Sequence, residues 1–109
     1  MRRGDIYWVE NHGGVGSEYR GRRPCVIVSN DKANLFGPIV QGVMLTTRKK
    51  KHLPTHVSIR SSIKPSTACC ENLTVIDKCA LGDYVGHVSP YEMRAIDRAL
   101  AIQLGLKEV

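Results

Sequence analysis

Three arginines, Arg20, Arg22 and Arg23, crowd the stretch GSEYRGRRPCVIVSND (residues 16–31), immediately before Pro24 and an apolar run. A guanidinium is permanently charged, and its planar fork of donors matches a phosphate or a carboxylate. Pro24 restricts Arg23 to extended backbone, and a side chain fixed by a buried strand is better positioned than one on a free loop. The cluster either meets an anion, with a phosphodiester the natural fit, or solubilises a loop in which one arginine pairs with Glu18. A second stretch, LTTRKKKH (residues 45–52), sets Thr46 and Thr47 at the end of an expected strand and Arg48, Lys49, Lys50 and Lys51 in a basic connection. A strand-end hydroxyl can donate to a phosphate oxygen while such a loop attracts a nucleic-acid backbone. Equally, threonine favours strands and RKKK makes a solvated turn. Adjacent strands would bring Arg23 and Thr46 close, which favours the functional reading.

Other chemistries fit worse. The chain has no glycine-rich phosphate loop with a lysine, no H-E-x-x-H and no G-x-S-x-G. Asp5, Glu10, Glu18 and Asp31 are the only carboxylates in residues 1–64, too few for a two-metal nuclease. A nuclease built on this chain is expected to need no metal and no other cofactor. Cys25, Cys69, Cys70 and Cys79 form no C-x-x-C, and His12, His52, His56 and His87 are dispersed. Reduced cysteines serving as small buried apolar residues are the expectation, consistent with a cytoplasmic chain.

The formal charge is +6, and it is unevenly spread: residues 1–64 carry +8 and residues 65–109 carry −2. A one-sided positive potential favours a polyanionic partner. No stretch has the length of a membrane span, and the N-terminal MRRGDIYWVE is too short and polar for a signal-peptide core.

The elements that must position these residues read mainly as β. One domain over residues 1–109 is the natural count. GDIYWVE alternates as a half-buried strand, with Ile6 and Trp8 against Asp5, Tyr7 and Val9. Residues 11–23 read as a glycine-rich charged loop and PCVIVSN as a central strand buried on both faces. DKANLFG makes one helical turn with Asp31 as cap and Gly37 as stop, and PIVQGVMLTT is a strand whose Gly42 marks a bulge or close approach. THVSIR alternates again, and STACCENLTVID with DYVGHVS supplies two or three more strands. Ser89-Pro90-Tyr91-Glu92 is a capping box with proline at the first helical position. Met93, Ile96, Leu100 and Leu104 then follow at helical spacing before Gly105. Many short strands closed by one helix predict a small, strongly bent sheet or barrel.

The ordered series RRGDIYWV, GSEYRGRRPCVIVSND, VMLTT, LPTHV, NLTVIDKCAL and MRAIDRAL resembles the MazF/PemK toxins of bacterial type II toxin–antitoxin systems, over nearly the whole chain. The resemblance implies an SH3-like β-barrel with a C-terminal helix, assembled as a homodimer. It implies a sequence-specific, metal-independent endoribonuclease that cleaves single-stranded RNA, chiefly mRNA, and a cognate antitoxin whose disordered acidic segment folds over the site. The family's functional arginine falls on Arg23 and its functional threonine on Thr46, next to Thr47. Glu18 maps to an acidic residue bordering the RNA site. The loops carrying Tyr19, Arg20, Arg22, Thr47, Arg48, Lys49, Lys50, Lys51 and His52 would frame a groove for RNA, with Tyr19 and His52 as stacking or base contacts. The chain departs from the family pattern at Cys79-Ala80-Leu81, where relatives commonly carry an arginine before the leucine.

In the mechanism this implies, RNA supplies its own 2′-OH nucleophile. Arg23 would stabilise the phosphorane electrostatically, and Thr46 would donate to a non-bridging oxygen. The rival reading is a toxin of the same fold that binds a protein such as gyrase, as the CcdB relatives do, with its critical residues on the terminal helix and no Arg–Thr site.

Overall fold

The computed structural model describes residues 1–12, 20–48 and 51–106. Six antiparallel strands build one sheet: β1 (Asp5–His12), β2 (Arg20–Ile27), β3 (Ile39–Thr46), β4 (His56–Ile59), β5 (Ser66–Asp77) and β6 (Leu81–His87). Their order is β4-β5-β3-β2-β1-β6. A short helix α1 (Asp31–Phe36) links β2 to β3, and helix α2 (Pro90–Gln103) follows β6. The sheet curls until a Cβ on Gly86, in the β6 edge, would lie 3.2 Å from the Ser61 carbonyl just past the β4 edge. Much of the bend lies in β5. The ladder pairs Val43↔Leu73 and Leu45↔Ala68 enclose one residue of β3 but four of β5, and such extra residues kink and twist a strand.

The β-branched run behaves as its composition predicts. Val26 packs into the larger core cluster with Ile6, Val43, Leu45 and Ile59. Cys25 and Ile27, on the opposite face, pack with Val9, Val40, Met44 and Ile76. The larger cluster is closed by Ile96, Ala99 and Leu100 of α2. Strand β1 is likewise packed on both faces, Ile6 in one cluster and Val9 in the other, so the half-buried expectation is too shallow. At Gly42 the close-approach reading holds: a Cβ there would collide with Cys25 Sγ and sit 3.0 Å from Ile76 Cδ1.

Several boundaries move. Residues 11–23 are not one loop: Asn11 and His12 end β1, Arg20 opens β2, and their pairing gives Glu10↔Arg22 and Val9↔Arg23. Cross-strand pairing extends the hairpin beyond the apolar residues that signal it, so only residues 13–19, outside the described set, join its arms. The N-cap of α1 is Asn30, whose side chain accepts from the Ala33 amide, rather than Asp31. Asp31 instead accepts from the Arg3 amide. STACCENLTVID forms one twelve-residue strand, separated from β6 by the 3-10 turn Lys78–Ala80. The capping box of α2 is formed as expected. Leu104, however, is the exposed C-cap, and Ala99 takes its place in the apolar stripe.

Candidate nucleic-acid interface

Arg22 and Arg23 alternate across β2, two and one residues before Pro24, which pairs with Trp8 of β1. Arg22 leans diagonally onto that tryptophan, its guanidinium carbon 4.7 Å from the ring centroid. A partly exposed cation–π contact of this kind orients a cation without neutralising it. Arg22 also meets Asp83, 3.9 Å away on an almost fully exposed side chain, a contact of little strength in water. Arg23 is half-buried, and its Nε is fully covered with no hydrogen-bond partner among the described residues.

Both arginines line a hollow of ≈ 240 Å³ whose other walls include Trp8, Leu45, Thr47, Ser62 and Lys64. Ser62 Oγ is the second buried polar atom without a partner among the described residues, and it lines this same hollow. A larger, more open hollow of ≈ 530 Å³ adjoins it, lined by Thr46, Arg48, Ser58, Arg60 and Thr67; Thr47 and Ser66 line both. No carboxylate lines either hollow among the described residues. The two together form a basic groove with hydroxyls along it.

The strand pairing explains how Arg23 and Thr46 reach this place. The β2–β3 ladder runs to Cys25↔Met44, and two residues further along each strand stand Arg23 and Thr46. Cys25 and Met44 both belong to the second core cluster, so strand alternation directs Arg23 and Thr46 to that same face. Thr46 is buried, and its Oγ1 accepts a hydrogen bond of 3.1 Å from the Arg48 amide. An oxygen used as acceptor keeps its own proton to donate. Arg23 and Thr46 thus line adjoining hollows rather than one, joined by Thr47.

Of the remaining residues singled out in the sequence, Lys51 and His52 are exposed on the segment before β4 and line neither hollow. Glu18, Tyr19, Lys49 and Lys50 lie outside the described residues, as does the side chain of Arg20. The sequence reading missed Trp8, Arg60, Ser62 and Lys64. RSSIKPS carries no period and no motif, and only the curl of the sheet brings it beside Arg23.

The segment that carries Ser62 is fixed from below by Glu92. That carboxylate accepts from the Arg60 amide at 2.6 Å and from the Ser61 hydroxyl at 2.5 Å, as well as from the Ser89 amide at the start of α2. Burial alone would push the Glu92 carboxyl up, but these hydrogen bonds together outweigh it and hold it below the usual carboxylate range.

A second anchored carboxylate, Glu71, accepts from Thr55 Oγ1 and meets His56 Nε2, each at 2.8 Å. Burial opposes its charge too, and the bonds from His56, its own backbone and Thr55 again win and lower it. The register His56↔Cys69 adds a thiol, so the ligand atoms of His56, Cys69 and Glu71 lie within 4.8 Å of one another. Both Glu71 oxygens are already engaged, which makes the cluster a latch between β4 and β5. Cys25 and Cys70 are buried thiols pushed up to about 12, chiefly by burial. None of the four cysteines is disulfide-bonded, and Cys79, expected inside, is exposed.

Comparison with known proteins places the chain in a family. The model of the PemK-like, MazF-like toxins of type II toxin–antitoxin systems matches residues 2–104. The chain is 36% identical over 114 residues to an Endoribonuclease MazF of Staphylococcus saprophyticus, covering 100% of this chain and 95% of that one. A mycobacterial endoribonuclease, solved in complex with its cognate antitoxin, superposes with a TM-score of 0.84 at 33% identity, covering 100% of this chain and 99% of that one. MazF from Deinococcus radiodurans has the same fold, with a TM-score of 0.84 at 19% identity and 96% of each chain covered. The match runs over nearly the whole chain: this chain belongs to the PemK-like, MazF-like toxin family of type II toxin–antitoxin systems.

Proposed function

We propose that this chain is a toxin that cleaves single-stranded RNA endonucleolytically and sequence-specifically, without a metal, and so arrests translation. One observation supports it above the rest: Arg23 Nε is buried without a partner among the described residues, on a side chain that lines a basic hollow with no described carboxylate. A covered, charged donor left unpaired is costly, and a phosphodiester is the anion that an RNA-cleaving toxin would bring to it. The two endoribonuclease relatives at 36% and 33% identity support the same reading.

In the reaction, the 2′-oxygen of the nucleotide bonds to its neighbouring phosphorus and the P–O5′ bond breaks. The proton lost from the 2′-OH is matched by one gained at the leaving 5′-oxygen. Arg23 carries the charge that builds on the phosphorane, and Thr46 donates its hydroxyl proton to a non-bridging oxygen. A guanidinium is too weak a base to deprotonate the nucleophile, so its role is electrostatic. Arg22, held on Trp8, with Thr47, Arg48 and the connection that holds Lys49, Lys50, Lys51 and His52, attracts and aligns the strand. Glu18, Tyr19 and Arg20 are further RNA contacts on the ground of the family resemblance alone.

The protein acts in the cytoplasm as a homodimer, and one toxin domain spans residues 1–109. An antitoxin with an acidic segment covers the positive groove. No helix among the described residues is long and apolar enough to cross a membrane.

The test is incubation of the purified protein with a long unstructured RNA in chelator, wild type beside Arg23→Ala. Cleavage by wild type alone is expected. An uncut RNA would favour the gyrase-binding alternative, in which substitutions on the exposed face of α2, rather than at Arg23, abolish toxicity.

A further inference from the structure

Ser62 is placed as carefully as Arg23, although nothing in the sequence marks it. Its segment, residues 60–65, is bolted to the helix cap through the Arg60 amide and the Ser61 hydroxyl on Glu92. On its other side the Ser66 hydroxyl donates to the Lys64 carbonyl at 2.8 Å. Within this tied-down bend the Ser62 hydroxyl is covered and meets no partner among the described residues, and the same is true of Nε of Arg23, which lines the same hollow. These are the only two such buried side-chain atoms among the described residues. Buried hydroxyls are nearly always satisfied, and both orphan atoms belong to residues that line one cavity, together with Lys64 and the stacked Arg22.

We propose that Ser62 is a further RNA-binding residue: its hydroxyl and Arg23 Nε–H together hold one phosphate of the bound strand, with Lys64 supplying charge beside them. A phosphate offers several acceptor oxygens at the spacing that two converging donors need. The same substrate would therefore satisfy both orphans at once. The inference rests on the endoribonuclease reading, and it adds the short β4–β5 connection to the substrate site.

The experiment compares wild type, Ser62→Ala and Arg23→Ala for cleavage of a long unstructured RNA in chelator. Thermal unfolding is measured for each. The Arg23 Nε–H resonance is followed while a 2′-O-methyl RNA of the same sequence, which cannot be cut, is added. A hydrogen bond to a charged acceptor predicts a loss of about ten- to hundredfold in kcat/KM for Ser62→Ala. Its unfolding temperature should be unchanged or raised, because an unsatisfied buried hydroxyl is removed. The shift of the Arg23 Nε–H signal by 2′-O-methyl RNA should shrink in the same variant.

Cleavage by Ser62→Ala at the wild-type rate, with Arg23→Ala inactive, overturns the role of Ser62 and leaves the endoribonuclease reading intact. Unfolding of Ser62→Ala, or a marked fall in its unfolding temperature, also overturns it, since the hydroxyl would then serve the protein's own structure. If wild type cuts nothing yet the 2′-O-methyl RNA shifts Arg23 Nε–H in a Ser62-dependent way, the phosphate site stands and the endoribonuclease reading falls. If wild type neither cuts nor responds to that RNA, both fall.

Discussion

Two polar regions of this protein are built from similar residues and behave oppositely. Around Glu92 the described polar groups answer one another: the Ser89 and Arg60 amides and the Ser61 hydroxyl share the one carboxylate, and the Ser89 hydroxyl accepts from the Glu92 amide. Across the same short connection, Arg23 Nε and Ser62 Oγ are equally covered and answered by nothing among the described residues. The first region has the pattern of a structural joint and the second that of a site waiting for an anion. Burial alone does not distinguish them; satisfaction does.

The comparison is broken most forcefully at Arg23. Replacing a transition-state donor typically costs about 10²–10³ in rate, so Arg23→Ala should lose at least that much cleavage while its thermal unfolding stays close to wild type. A loss of stability matching the loss of activity would move Arg23 into the structural class. The converse is expected at Glu92. Glu92→Ala should lower stability by about 1.5–3 kcal/mol, the usual cost of hydrogen bonds to a charged group, measured by denaturant unfolding. RNA cleavage at a temperature where the variant remains folded should fall far less than for Arg23→Ala.

Acid should separate the two regions again. Glu92 and Glu71 have carboxyls lowered in the folded protein. Their contribution is therefore complete above the ordinary carboxylate value of about 4.3 and is lost as pH falls through the lowered one. Stability of wild type should decline on acidification through that range, and the decline should be shallower in Glu92→Gln. Gly42 sharpens the purely apolar side of the argument. An added methyl meets Cys25 Sγ, Ile76 and the Val26 carbonyl, so Gly42→Ala should cost about 1–3 kcal/mol of overpacking, read from its denaturation midpoint. Smallest is Trp8. A cation–π contact is worth about 0.5–1 kcal/mol at a partly exposed position, so Trp8→Ala should weaken RNA binding only a few-fold, with turnover at saturating RNA nearly unchanged.

Much of this could be read from the chain before its fold was seen. The β-branched PCVIV, the glycine inside PIVQGVMLTT and the S-P-Y-E cap each act through neighbours close in sequence or through a regular period, and each was placed correctly. Arg23 was legible because Pro24 and a buried strand fix it. The unforeseen parts depend on the curl of the sheet. Extra residues in β5 bend it so that the unpatterned RSSIKPS lies beside the β2–β3 end, and no period encodes that. The length of the β1–β2 hairpin escaped for a related reason: backbone pairing carries Arg20 to Arg23 into a strand whatever their polarity. The cap of α1 was missed by one residue because Asn30 and Asp31 are both good caps, and Asp31 is used by the Arg3 amide instead.

The central claim, that Arg23 and Thr46 act on a phosphate attacked by RNA's own 2′-OH, fixes the chemistry of the cut ends. Mapping and end-labelling the products from a long unstructured RNA, digested in chelator, tests it most directly. Attack by the 2′-oxygen predicts 2′,3′-cyclic phosphates on one side of each cut and 5′-hydroxyls on the other, formed by wild type and not by Arg23→Ala. Products bearing 5′-phosphates, or cleavage that appears only when a divalent metal is restored, would contradict it.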